Sequence, residues 1–66
     1  MSNFTKKLKQ LRWSQNMTIE NFADSLGVNY NTYKGYDSGY RKPTVTLLKK
    51  LVEVYNIDLN KWILEV

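Results

Sequence analysis

Residues 18–43 read TIENFADSLGVNYNTYKGYDSGYRKP, and the spacing within this stretch decides the fold. Thr18 offers an N-cap oxygen, and Glu20 falls in the first turn, where the helix dipole favours a negative charge. Ile19, Phe22, Ala23 and Leu26 follow at helical intervals, which predicts a helix of about eight residues. It stops at Gly27, a residue suited to the left-handed cap position that a β-carbon disfavours. Only Val28 separates that glycine from Asn29, a second good N-cap, so the next helix starts almost at once and turns sharply away. Two short helices joined in this way suggest a helix-turn-helix. At about 100° per residue, Tyr33, Tyr36 and Tyr40 cluster on one side of the second of them, expected in the core or at its rim. Tyr30, Asn31, Lys34 and Gly35 span the opposite, exposed arc. Ser38, Gly39 and Pro43 break the pattern into a loop that exposes Tyr40, Arg41 and Lys42.

The flanks carry the same periodicity. Phe4, Leu8 and Leu11 predict a first helix from Asn3 to Trp13, capped by Ser2 or Asn3. Thr44 caps a fourth helix with Val45, Leu48, Leu51, Val52 and Tyr55 as its inner stripe and Asn56 as its close. Asp58 caps a short fifth helix in which Leu59, Trp62, Ile63 and Val66 fall at i, i+3, i+4 and i+7. No stretch alternates as a strand does, so the expectation is an all-α, five-helix single domain over residues 1–66.

Composition removes whole classes of function. With 42% hydrophobic and 24% charged residues the chain reads as globular rather than disordered. It has no Cys and no His, so thiolate and imidazole metal sites and the commonest general base are excluded. An enzyme is not expected, nor a cofactor or a metal. No apolar run approaches the roughly 20 residues that span a bilayer, and the lysine-bearing N-terminus lacks the apolar stretch of a signal peptide. A cytoplasmic, nucleoid-associated protein without membrane contact is therefore expected. Ten Lys and Arg against six Asp and Glu give a net charge of +4, which favours an acidic partner without naming one.

Thr18, Phe22-Ala23, Leu26-Gly27-Val28, Asn29, Thr32, Tyr33, Tyr36, Asp37, Gly39, Arg41 and Pro43 together resemble the helix-turn-helix of the phage repressor and Cro-like, or lambda-repressor-like, family of transcriptional regulators. The likeness extends to Leu8, Lys9, Leu11 and Arg12 in the first helix and to Leu48 through Ile63, and so covers nearly the whole chain. It implies a compact five-helix DNA-binding domain, usually dimeric, whose third helix lies in the major groove of double-stranded DNA. By position it implies base reading by Tyr30, Asn31, Lys34 and Gly35, and backbone contact by Thr18, Asn29, Thr32, Arg41 and Lys42. It also implies a structural pair between Arg12 and Asp37, shielded by Trp13 or Tyr36. Two positions depart from the family pattern: Ile19 stands where a phosphate-binding Gln is common, and Asp37 where the acid is usually Glu.

Each role has a plainer rival. Asn31 can read adenine through N6 and N7 or simply be solvated. Tyr30 can meet a thymine methyl or a phosphate, or merely cover the helix end. Lys34 can reach guanine or a phosphate. Gly35 either lets the helix backbone approach the groove floor or is a tolerated flaw. Lys6, Lys7 and Lys9 read as surface, within reach of flanking phosphates. Tyr55, Ile57, Leu59, Trp62, Leu64 and Val66 offer more apolar surface than so small a core hides, which suggests a homodimer interface with Trp62 as anchor, or else a Trp62 that closes the monomer core. Five helices leave no residues for a small-molecule effector pocket. The function expected is a Cro-like repressor covering a pseudo-palindromic operator; the alternative is an antitoxin-like or anti-regulator protein-interaction module using the same face.

Overall fold

The computed structural model describes residues 3–64, with side chains through Trp62. Five helices run in order: α1 (Asn3–Ser14), α2 (Ile19–Leu26), α3 (Tyr30–Ser38), α4 (Val45–Tyr55) and α5 (Leu59–Leu64). Ser2 and Val66 lie outside the described residues, as does the side chain of Leu64.

The boundaries follow from local chemistry. Thr18 accepts from the Asn21 N–H at 3.1 Å, Asn29 from the Asn31 N–H at 2.9 Å, and Thr44 from the Leu47 N–H at 3.2 Å. Each bond satisfies an amide that the first turn of a helix cannot. Asp58 does the same for α5 through the Asn60 N–H at 3.1 Å. At the other ends, Gly27 and Asn56 are left-handed, with φ of 69° and 52°. α3 runs one residue further than its sequence pattern suggests, taking in Ser38 before Gly39 closes it at φ 83°.

The core gathers Phe4 and Leu8 from α1, Phe22, Ala23 and Leu26 from α2, Tyr33 and Tyr36 from α3, Leu47 and Leu51 from α4, and Trp62 from α5. Phe22 is its centre, stacked on Tyr55 at 5.0 Å and meeting Tyr33 edge-on at 5.3 Å. The expected inner stripe of α4 holds for Leu51, Leu48 and Tyr55 but fails at Val45 and omits Leu47. Leu47 is buried and Val45 is 69% exposed, because the buried row runs through Leu47 and Leu51 one turn apart, with Leu48 and Val52 half-buried beside it. Tyr40 is likewise no part of the core: Gly39 turns the chain away before the stripe of Tyr33 and Tyr36 repeats, leaving the ring 88% exposed. No described helix is long and apolar enough to cross a membrane.

Candidate nucleic-acid interface

α3 is held from its inward side. Tyr33 is fully buried, and its hydroxyl donates to Asp37 Oδ1 at 2.9 Å. Arg12 reaches over from α1 and donates from Nε to Oδ1 of the same carboxylate at 3.0 Å and from Nη2 to Oδ2 at 3.3 Å. The guanidinium also donates through Nη1 to the Met17 carbonyl at 3.2 Å, so one side chain ties α1, the α1–α2 loop and α3 together. The shorter Asp37 thus reaches Arg12 with two bonds. Trp13, itself exposed, lies over the guanidinium with its ring centre 5.8 Å from Cζ, and Tyr33 meets the carboxylate from within α3. Bidentate pairing in a site this sheltered fixes the angle of α3 as well as its distance.

Burial pushes the Tyr33 hydroxyl well above the ordinary phenol range, and its bond to Asp37 acts in the same direction. The folded state therefore keeps a proton that the unfolded chain releases above about pH 10, and stability falls there by up to about 1.4 kcal/mol per pH unit from this group. Urea denaturation between pH 9 and 11.5 should show a shallower alkaline decline for Tyr33→Phe than for the unaltered chain. Parallel declines would assign the loss to other groups.

The outward side of α3 is a row of exposed groups. Tyr30 and Asn31 stand at its start, and Lys34 lies one turn on, its Nζ 6.0 Å from the Tyr30 ring centre. Gly35, the fourth residue of that arc, is half-buried by Arg41, whose backbone N–H donates to the Gly35 carbonyl at 3.0 Å. A β-carbon at position 35 would stand 2.8 Å from Arg41 Cγ and Cδ, a contact that no local sequence pattern signals. The structure therefore brings Tyr30, Asn31, Lys34, Gly35 and Arg41 together. Thr18 and Asn29 spend an oxygen each on capping, leaving the Asn29 amide N–H2 and the Thr18 O–H able to donate outward. Thr32 is half-buried, and Lys42 is exposed in the loop. On α1, Lys6 is exposed, while Lys7 and Lys9 are half-buried.

The residues expected at a dimer interface divide between the core and the surface. Trp62 is 9% exposed and edge-on to Phe4 at 5.7 Å, so within one chain its ring closes the core. Tyr55 is stacked on Phe22, hydrogen-bonded to Ser25, and donates to the Met17 sulfur at 3.5 Å. Ile57 is half-buried against the core, and Leu59 stands exposed. Val66 lies outside the described residues. Leu59 instead joins Val45, Leu48 and Val52 in a groove of about 500 Å³ between α4 and α5, flanked by Lys49 and Glu53. The signal was in the sequence, since VTLLKKLVEV carries two apolar stripes and a monomer buries one.

Two short helices, the second braced from behind and carrying a polar row in front, agree with the family comparison. A family model described as helix-turn-helix covers residues 8–62. The chain belongs to the phage repressor and Cro-like helix-turn-helix family. Among its relatives in that family of regulators, the HTH-type transcriptional regulator AnsR of Bacillus subtilis is 38% identical over 76% of this chain and 43% of its own. The cryptic phage CTXphi transcriptional repressor RstR of Vibrio cholerae is 30% identical over 85% of this chain and 50% of its own. The chain thus spans about half the length of the curated relatives it matches. No solved structure matches it at a significant level.

Proposed function

We propose that this helix-turn-helix protein is a sequence-specific regulator of transcription that acts as a Cro-like repressor, a homodimer covering a pseudo-palindromic operator. The observation that carries the reading is the separation of the two sides of α3: Arg12, Tyr33 and Asp37 brace it from within, while Tyr30, Asn31 and Lys34 stand outward. A B-DNA major groove about 12 Å wide admits one such helix, provided that something rigid holds it proud of the fold. Asn31 suits the N6 and N7 edge of adenine, Tyr30 a thymine methyl or phosphate, and Lys34 a guanine or phosphate. Thr18, Asn29, Thr32 and Lys42 suit the sugar-phosphate backbone. No effector is invoked; occupancy follows protein concentration.

The second copy is assigned to the α4–α5 groove. Lys49 and Glu53 lie one turn apart on the same helix beside Val45, Leu48 and Val52. A two-fold axis across antiparallel α4 helices sets Lys49 of each copy against Glu53 of the other, around an apolar centre. Such self-complementarity favours this chain itself as the occupant.

Selection of bound duplexes from a random pool at near-physiological salt tests the reading. A two-fold repeat with half-sites about 34 to 36 Å apart is the expected result. Failure to enrich any motif above bulk DNA would overturn it, and binding with no steep salt dependence would favour a protein partner at the same face. On the selected operator, Asn31→Ala should cost about 1 to 3 kcal/mol and relax preference at one position per half-site. A uniform loss across sequences would make Asn31 a backbone contact.

A further inference from the structure

The outward row of α3 has a gap in its side chains that another residue fills. Position 35 lies on the arc of Tyr30, Asn31 and Lys34 but is glycine, an unfavourable choice inside a helix. The stem of Arg41 crosses the helix at that point, with Cγ and Cδ 2.8 Å and Nε 3.1 Å from where a β-carbon would stand. Gly39 reverses the chain at φ 83°, and the Arg41 N–H then fastens on the Gly35 carbonyl at 3.0 Å. Arg41 is exposed, and among the described residues its guanidinium has no hydrogen-bond or ion-pair partner. A residue from the following loop has thus been laid along the outward face of α3.

We propose that Arg41 supplies the fourth reading side chain of α3, with Gly35 as the positioning residue that makes room for it, and that its target is the O6 and N7 edge of guanine. The inference rests on the DNA-regulator reading above. An arginine reaching from a loop to a phosphate would extend away from the helix; one whose stem lies across the helix enters the groove with it. Its planar fork matches guanine with two parallel bonds, which a lysine cannot reproduce. Gly35→Ala would push the stem off the helix without disturbing the core.

The random-duplex selection, run in parallel on the unaltered chain, Arg41→Ala, Arg41→Lys and Gly35→Ala, tests this. Both Arg41 variants should lose roughly 5- to 150-fold of the preference for guanine at one position per half-site and keep the rest of the motif. Gly35→Ala should lose the same position while melting no lower than the unaltered chain. The proposal is overturned if Arg41→Lys keeps the guanine and Arg41→Ala weakens all sequences alike, lowering the salt slope by about 0.9, which marks a phosphate contact. A motif from the unaltered chain that all three variants share would overturn this proposal alone. No motif from the unaltered chain would overturn the DNA-regulator reading and this with it.

Discussion

Arg12→Met is expected to lower the unfolding free energy by about 3 to 5 kcal/mol, enough to leave so small a domain marginal at physiological temperature. The Arg12 side chain is 11% exposed and that of Asp37 5%, so removing the arginine strands a charge where water reaches it poorly. Tyr33 would still donate to Asp37, but a neutral hydroxyl replaces neither the second oxygen's partner nor the positive charge. The Met17 carbonyl loses its donor at the same time. An exposed pair at the same distance would cost about 1 kcal/mol or less, so the magnitude reads the burial directly. Chemical denaturation decides it. A loss below 1 kcal/mol would mean that the pair is solvated in solution, and a double variant, Arg12→Met with Asp37→Leu, should recover much of the stability because it leaves no charge stranded.

On the homodimer proposed above, Val45→Glu is expected to leave the monomer folded and abolish self-association, reducing affinity for a two-fold operator by roughly 10²- to 10⁴-fold. Val45 is the first residue of α4 and exposed, so a glutamate there costs no core packing and suits the positive end of the helix dipole. In that proposed pairing it would put a charge on the apolar lining of the groove, which Val45 shares with Leu48, Val52 and Leu59. The affinity falls because the second half-site is then met by a separate molecule and not by a tethered one. Sedimentation should report a monomer and circular dichroism an unchanged helix content. Leu59→Lys, which adds a charge of the opposite sign, separates this from simple repulsion of DNA: it should break the dimer as well. A Val45→Glu protein that stays dimeric would remove α4 from the interface.

The five helices were legible because their ends are written in single residues: Thr18, Asn29, Thr44 and Asp58 at the starts, Gly27 and Asn56 at the stops. Helix phase was less legible where both sides are apolar. In α4 a row through Val45, Leu48 and Val52 and a row through Leu47 and Leu51 are equally regular, and the packing of α4 against α2 selects the second for full burial. The outward residues of α3 followed from periodicity, but the placement of Arg41 did not. It depends on a left-handed Gly39 and on one long side chain folding back over six positions, and no local pattern encodes that. Trp62 shows the same limit from the other side, since a tryptophan in a short terminal helix fits a core or an interface until the ring opposite it, Phe4, is known.

The two sides of α3 have a consequence for how such a molecule changes over time. Tyr33, Tyr36 and Asp37 belong to the foundation, and altering them endangers the whole domain. Tyr30, Asn31 and Lys34 lie outside the buried core, so exchanging them one at a time is expected to leave the domain intact. On the reading proposed above, a lineage could therefore drift to new targets by rewriting these outward positions on an unchanged frame, and an experimenter could do the same by shuffling them in a library.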